Sequence, residues 1–334
     1  MKKILITGGA GFIGYHLANE LLKNPANHLT LVDNLQRGRI DEDFKALLKN
    51  KRVQFIKADL TDQKFYKKLD KNFDQVYHLA AVNGTKWFYK MPQEVLRINT
   101  LSLIYILEWI KSLKKKTKLC FTSSNEAYAG ALASFNKLPI PTPEKVPLVI
   151  SDTYNPRWTY GATKLVGELF VIFYAKVYNF PAIIVRPHNF YGPRAGYDHV
   201  LPEWSQKIIA RQDPFTICSP KETRTFCYIT DAVKAMRMLM DSSITDNQPI
   251  ETVHIGASDE ITMEKLAEKM FEAAGWKPKK IISQPSPAGS VKRRLADITK
   301  IKKLIGWRPE TKLADGLKKT FEWYTVHSKK YGKA

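Results

Sequence analysis

The chain has 334 residues, of which 44% are hydrophobic and 25% charged, an ordinary composition for a globular protein with a sizeable core. No apolar run reaches the roughly 18 residues that a membrane helix needs, which excludes membrane insertion. The formal net charge is +21, yet the lysine clusters lack the interleaved aromatic residues of a single-stranded nucleic-acid platform, so we predict no nucleic-acid partner. The three scattered cysteines have no metal-ligand spacing and indicate a cytoplasmic protein.

A glycine-rich turn follows the first predicted strand, Ile4–Ile6. Glycines recur at every third residue of this turn, as Gly8, Gly11 and Gly14. A helical pattern begins inside the turn, and the next predicted strand ends in Asp33. Glycines let the backbone approach a pyrophosphate at the positive end of the helix. Asp33 can accept hydrogen bonds from both ribose hydroxyls and would repel a 2′-phosphate, so the unit predicts NAD binding rather than an unliganded turn.

Strands and helices alternate from this turn to about residue 186. Strands are predicted at 53–56, 75–79, 118–123 and 182–186, helices at 62–70, 92–113 and 158–178, and a proline-rich loop at 131–155. This alternation predicts an α/β fold with a doubly wound parallel sheet. We assign 1–186 to an NAD-binding Rossmann domain and 187–330 mainly to a smaller, interleaved substrate domain. Some segments of the second domain, including Val253–Ile255, are expected to return to the first sheet.

The two long helices at 92–113 and 158–178 are apolar nearly all round. A helix without a polar face is buried on several sides, so both helices are expected to pack against a partner chain as well as the sheet. They predict a homodimer formed through a four-helix bundle.

Tyr160 and Lys164 carry the most informative chemistry after the glycines. Residues four apart share one face of a helix, so the lysine ammonium is expected to lower the pKa of the phenol and let Tyr160 act as a base. Ser124 ends a parallel strand, at the edge of the sheet where such folds bind ligands, and is expected to hydrogen-bond the same substrate oxygen. The histidines that suggest a metal, namely His78, His188 and His199, lack ligand spacing, so no metal is predicted.

With these motifs the chain resembles the extended short-chain dehydrogenases, a family of NAD-dependent enzymes acting on nucleotide sugars. The resemblance runs from residue 1 to about 320 and is carried, in family order, by TGGAGFIG, VDNL, ADL, HLAA, Asn99, TSS, YGATK, RPHNFYGPR, TRTF and DITK…GWRP. It implies a tightly held NAD that takes a hydride from a sugar hydroxyl, usually at ring carbon 4, with Tyr160 as the base. The resulting 4-keto sugar then reacts further.

The resemblance also implies roles for individual residues. Cofactor contacts are expected from Gly8, Gly11, Phe12, Ile13, Asp33, Asn34, Asp59, Leu60, Leu79, Ala80, Ala81, Asn99, Tyr160, Lys164, Pro187 and His188. Contacts to a nucleotide-diphosphate sugar are expected from Asn83, Thr85, Ser124, Asn125, Asn189, Arg224 and Arg294, the last three at positions that hold the diphosphate.

The two residues that follow Ser124, Asn125 and Glu126, indicate which reaction is catalysed. Glu126 matches an acidic catalytic residue of the family's dehydratases and decarboxylases, whereas Asn125 stands where dTDP-sugar 4,6-dehydratases have aspartate. NPRWTYGATK also looks like the uronic-acid decarboxylases, in which the arginine matching Arg294 takes part in the chemistry. Because no complete dehydratase triad is visible, we favour an epimerase. A 4,6-dehydratase, a decarboxylase, a 4-oxidoreductase and a non-catalytic dinucleotide- or RNA-binding scaffold are the alternatives.

Overall fold

A computed structural model describes residues 1–135, 138–246, 248–286 and 291–331. Its strands are β1 Lys2–Thr7, β2 Asn27–Asp33, β3 Val53–Lys57, β4 Gln75–His78, β5 Lys118–Thr122, β6 Ala182–Pro187, β7 Phe190–Tyr191, β8 Phe215–Cys218, β9 Thr223–Arg224, β10 Cys227–Tyr228, β11 Ile250–Ile255, β12 Ile261–Thr262 and β13 Ile281–Gln284. Its helices are α1 Phe12–Leu21, α2 Glu42–Leu48, α3 Gln63–Lys68, α4 Thr85–Lys90, α5 Pro92–Lys111, α6 Glu126–Phe135, α7 Thr159–Tyr178, α8 Val200–Ile209, α9 Ile229–Asp241, α10 Met263–Ala274, α11 Thr299–Ile305 and α12 Leu313–Tyr331, with a 3-10 turn over Pro156–Trp158.

Seven parallel strands form the main sheet in the order β11-β6-β5-β4-β1-β2-β3. The central strands are apolar on both faces, and Ile4, Leu5 and Ile6 are fully buried because helices cover the sheet on each side. The predicted doubly wound parallel sheet is therefore confirmed. β11, which contains Val253–Ile255, pairs with β6 at one edge of this sheet. The division into domains at residue 186 stays a prediction.

The loop predicted over 131–155 begins later than expected, because α6 continues to Phe135. Ala127, Ala129 and Ala131 are buried. Small residues with high helix propensity therefore extend the helix and let it pack closely on α7. The prediction was wrong for the first residues of this segment.

The two long predicted helices correspond to α5 and α7, which pack against each other beside the sheet. The outer face of α7 exposes Val166, Leu169, Phe173 and Val177. None of the helices in the described part of the chain combines the length and apolar composition needed to cross a bilayer.

Candidate active site

A groove runs along the carboxyl edge of the main sheet, where ligands bind in open α/β folds. Its cavity of about 940 Å³ is lined by the glycine turn, the loops after β2, β4 and β5, the start of α7 and residues 193–199. This volume lies at the upper end of the roughly 300–1,000 Å³ usual for ligand pockets.

The glycine turn forms the floor of the groove below the start of α1. Gly8 has a positive φ of 71°, and a β-carbon at Gly14 would lie 2.2 Å from the carbonyl oxygen of Gly8. Gly11 is the N-cap of α1 and, because it has no side chain, leaves the first N–H groups of the helix uncapped. The turn therefore presents bare backbone donors and the positive end of a helix to the groove.

Asp33 lies at the end of β2, beside this turn. Its carboxylate accepts hydrogen bonds from the backbone N–H groups of Ala10, at 3.1 Å, and Leu35, at 2.8 Å. Burial raises the pKa of Asp33, and these backbone donors act in the opposite direction. A held carboxylate next to a glycine-rich helix start fits the ribose and pyrophosphate of an adenine dinucleotide.

Most of the predicted cofactor residues line the groove. They are Gly8, Gly11, Phe12, Ile13, Asp33, Asn34, Asp59, Leu60, Leu79, Ala80, Ala81, Tyr160, Lys164 and Pro187. Asn99 and His188 lie behind its wall. The amide of Asn99 binds both backbone groups of Val82, at 2.7 and 3.1 Å, so its role in the structure is to support the loop after β4.

Three of the four predicted catalytic residues, Ser124, Tyr160 and Lys164, come together at the inner end of the groove. Ser124 lies close enough to Tyr160 to act on the pKa of its phenol, in the lowering direction. Lys164 Nζ lies 5.5 Å from the centre of the Tyr160 ring and donates to the carbonyl of Thr122 at 2.7 Å. All three side chains are buried, which is the setting in which a small number of hydrogen bonds controls proton transfer.

The predicted lowering of the Tyr160 pKa by Lys164 is wrong. Burial raises the pKa of Tyr160 above its usual value and the charge of Glu126 adds to this, while Ser124 and Arg37 oppose it. Burial also lowers the pKa of Lys164, to about 7, and Glu168 opposes that shift. Desolvation is the largest influence on the pKa of each group, and it disfavours the charged form of both.

Glu126 lies between two arginines beside this centre. Its carboxylate accepts a short charge-assisted hydrogen bond from Arg294 and lies 3.4 Å from Arg157 Nη2. Burial favours a higher pKa for Glu126, but the charges of Arg294 and Arg157 outweigh it and the net pKa is lowered. Arg293 turns the other way and pairs with Glu260 at the surface. Arg294 is therefore the inward residue of the pair, and it lines the groove together with Ser124.

The remaining predicted substrate residues divide into two groups. The groove is lined by Asn83, Thr85, Asn125 and Asn189. The amide nitrogen of Asn125 is buried and has no hydrogen-bond partner among the described residues. Arg224 does not line the groove and forms a 2.7 Å ion pair with Glu222. The charges of Arg294 and Glu126 also act on the pKa of Arg224. Burial lowers the pKa of Arg224 to about 10.

Sequence reasoning missed four arginines that line the groove. They are Arg37, Arg39, Arg157 and Arg194. Arg157 was visible in the segment NPRWTYGATK, three residues before Tyr160, and this spacing was the available signal. Arg37 and Arg194 lie in irregular loops, where no periodic pattern indicates the direction of a side chain.

Two of the three histidines considered as metal ligands each contact a hydroxyl group of the protein. His78 Nδ1 lies 2.9 Å from the Thr7 hydroxyl, and His188 Nε2 lies 2.8 Å from the Tyr128 hydroxyl. Burial lowers the pKa of both rings. Elsewhere in the described chain, Asp41, Asp43 and His327 bring ligand-type atoms within 4.8 Å of one another. Asp41 already binds Arg194 and caps α2, so this cluster has a structural explanation.

The fold and this groove define a dinucleotide-dependent enzyme of the extended short-chain dehydrogenase type. The family model described as GDP-mannose 4,6 dehydratase matches residues 5–320, and the chain belongs to this family. The family predicted from the sequence motifs is thereby confirmed.

Individual relatives carry out different reactions. The chain is 31% identical over 332 residues to UDP-N-acetyl-alpha-D-glucosaminuronate decarboxylase of Bacillus cytotoxicus, covering 97% of this chain and 98% of the relative. UDP-glucose 4-epimerase of Thermotoga maritima, solved with UDP-glucose, is 26% identical with a TM-score of 0.84, covering 97% of this chain and 99% of the other. UDP-glucuronic acid 4-epimerase of Bacillus cereus, solved with UDP-glucuronic acid and NAD, is 26% identical with a TM-score of 0.82 and the same coverage of 97% and 99%. The prediction of an enzyme in the epimerase, decarboxylase and dehydratase group is confirmed.

Proposed function

We propose that the protein oxidises the C4 hydroxyl of a nucleotide-diphosphate sugar with NAD and then acts on the 4-keto sugar in the same groove. The observation that carries the proposal is the buried cluster of Tyr160, Ser124 and Lys164 in the groove, with Lys164 Nζ 5.5 Å from the centre of the Tyr160 ring. Tyr160 removes the hydroxyl proton, Ser124 holds the same oxygen, and Lys164 supplies positive charge nearby. NAD, when bound, supplies a nicotinamide ring that takes the hydride from C4 and a positive charge that favours the phenolate.

NAD is the cofactor that the glycine turn and Asp33 fit. The turn offers backbone donors for the pyrophosphate, and the Asp33 carboxylate accepts from ribose hydroxyls and repels a 2′-phosphate. The Bacillus cereus relative was solved with NAD, which agrees with this assignment.

For the second step, the geometry around Glu126 supports decarboxylation of a nucleotide-uronic acid best. Arg157 and Arg294 bring two positive charges to the sugar end of the groove, where a C6 carboxylate would lie. A 4-keto uronate is a β-keto acid: the C5–C6 bond breaks, carbon dioxide leaves, and the electron pair moves onto the C4 oxygen. In this proposal Tyr160 and Ser124 act at that oxygen and stabilise its negative charge. C5 then takes up a proton, and return of the hydride to C4 gives the nucleotide pentose and regenerates NAD. The Bacillus cytotoxicus relative is a decarboxylase of this kind of substrate.

Epimerisation at C4, which the sequence favoured, is the second candidate. It is supported by the likeness to the two 4-epimerase structures over 97% of the chain. Dehydration is less favoured, because the Asn125 amide has no labile acid proton to offer.

One assay separates these reactions. The purified protein is incubated with NAD and UDP-glucuronic acid labelled at C6, or with UDP-glucose, and products are followed by NMR and by release of labelled carbon dioxide. Decarboxylation predicts labelled carbon dioxide and a nucleotide pentose from the uronate. Conversion of either sugar into its C4 epimer without carbon dioxide would overturn it in favour of the second candidate. Repeating the assay with GDP, CDP and dTDP sugars identifies the base.

Neighbouring arginines provide a matched control. Arg294→Gln removes the inward charge and is expected to abolish carbon dioxide release, whereas Arg293→Gln removes an outward charge that is 52% exposed and is expected to leave it unchanged. Equal effects of the two substitutions would contradict a role for Arg294 at the sugar.

We further propose that α5 and α7 pair with the same helices of a second copy. Val166, Leu169, Phe173 and Val177 are spaced three or four residues apart and form one exposed apolar stripe along α7. A continuous apolar surface of this kind is unusual on a monomer and typical of an interface.

A cytoplasmic location also stays a prediction.

A further inference from the structure

The loop after β2, residues 34–41, lies directly on the glycine turn. A β-carbon at Gly38 would lie 2.8 Å from the Ala10 side chain and 2.9 Å from Asp33 Oδ1. The backbone at Gly38 is therefore packed against Ala10 and Asp33, which belong to the part of the groove that fits the dinucleotide. Arg37 is the residue before Gly38, so its backbone lies beside the same part of the groove.

From there the Arg37 side chain reaches across the groove. Its Nη2 lies 3.9 Å from Asp198 Oδ2 and would lie 3.4 Å from a β-carbon at Gly196. Asp198 in turn packs against Gly84, in the loop after β4, where a β-carbon would lie 3.4 Å from the Asp198 side chain. Because β1 lies between β2 and β4 in the sheet, the Arg37–Asp198 pair links the loop after β2 to a residue packed on the loop after β4, on the other side of β1.

The glycine turn and the start of α1, which fit a pyrophosphate, follow β1 and line the same groove as Arg37 and Asp198. Arg37 is 27% exposed and Asp198 31%, so the pair is partly shielded from water. A separation of 3.9 Å is too long for a hydrogen bond, so the two groups attract each other only loosely. A pyrophosphate offers the guanidinium two oxygens at once, which is the geometry that arginine binds best.

We propose that Arg37 retains the dinucleotide, by exchanging its loose pairing with Asp198 for charge-assisted hydrogen bonds to the cofactor pyrophosphate. Asp198 then competes with the cofactor for the same guanidinium. This role concerns the cofactor alone and does not depend on which sugar the enzyme converts.

A different role for the same pair makes the opposite prediction for one variant. The pair could instead only hold the loop of residues 34–41 against the segment that contains Asp198. Loss of either partner would then weaken the contact between these segments and speed cofactor release. If Arg37 acts on the pyrophosphate, loss of the Asp198 charge frees the guanidinium and holds the cofactor at least as firmly.

The test measures dissociation of NADH from the whole protein, with no sugar present. Energy transfer from tryptophan to bound NADH is followed after mixing with excess NAD. R37Q is expected to release NADH about tenfold faster or more, as for loss of a charge-assisted hydrogen bond. D198N is expected to release it at the wild-type rate or more slowly. R308Q, at an exposed arginine after α11, is the control and is expected to match the wild type.

Three results would overturn the proposal. They are an R37Q rate within twofold of the wild type, faster release from D198N, and failure of the wild-type protein to bind NADH. Circular dichroism melting of each variant shows whether the fold is retained. If R37Q does not fold, the D198N rate still decides, because the two roles predict opposite directions for it.

Discussion

Replacement of Lys164 by Met should remove a pH dependence of stability from the ligand-free protein. The Lys164 amine is buried and donates to the Thr122 carbonyl at 2.7 Å. Burial lowers its pKa from 10.5 in the unfolded chain to about 7 in the folded one, with Glu168 acting in the opposite direction. Below pH 7 the folded protein carries the full cost of a buried ammonium, and this cost is relieved as the pH rises toward 10.5.

The sign and size follow from proton linkage. Between the two pKa values the unfolded chain binds more protons than the folded one, so the free energy of unfolding increases with pH. For these two values the increase amounts to about 3 kcal/mol between pH 7 and pH 9.5. Buried Cys120 and Cys227, whose pKa burial raises above 9.0, act in the opposite direction within this window, and the buried tyrosines begin to do so near its upper end, so the contribution of Lys164 is measured as a difference between variants.

Urea unfolding followed by tryptophan fluorescence at pH 7, 8 and 9.5 measures this increase. The wild type and Lys302→Met, a substitution at an exposed position of α11, should change alike with pH. The change from pH 7 to 9.5 in Lys164→Met should be about 3 kcal/mol less favourable than in the wild type. An equal rise in wild type and Lys164→Met would refute the reasoning, since other titrating groups are the same in both.

Three further substitutions test the site and the assembly. Tyr160→Phe should lower turnover by about 10²- to 10⁴-fold while NADH binding by fluorescence is retained, and normal turnover would dismiss Tyr160 as the base. Asp33→Ala should weaken NAD and relax the discrimination against NADP, measured as the ratio of the two dissociation constants; an unchanged ratio would contradict a ribose contact. Phe173→Glu places a charge in the apolar stripe of α7 and should convert a dimer into a monomer by light scattering, whereas a monomeric wild type at micromolar concentration would contradict the interface.

The parts of this protein that the sequence predicted are those set by local patterns. The turn after β1 has glycines where backbone must approach backbone, and Asp33 ends an apolar run whose length suits a buried strand. Tyr160 and Lys164 lie on one helix, so their common direction follows from helix geometry alone. Ser124 joins them because parallel strands end at one edge of the sheet.

What could not be predicted depends on contacts between distant segments. Arg294 and Glu126 are 168 residues apart, and neither lies in a pattern that indicates the other. Arg37 lies in an irregular loop, and its direction is set by packing of Gly38 on the glycine turn. The pKa of Tyr160 depends on burial, which a spacing of four residues from Lys164 does not report.

Four of the five arginines that line the groove are already close to a carboxylate: Arg37 to Asp198, Arg194 to Asp41, and Arg157 and Arg294 to Glu126. A phosphate or carboxylate group of a ligand must therefore replace a protein carboxylate at the arginine. The loss of the existing ion pair offsets part of the attraction between the ligand and the arginine. An uncharged ligand cannot replace these arginine–carboxylate pairs. A ligand with anionic groups at the right separations forms a new ion pair with an arginine for each pair that it breaks. The net charge of +21 consequently says little about affinity in the groove, and the paired arrangement favours selectivity for doubly anionic ligands over tight binding of any anion.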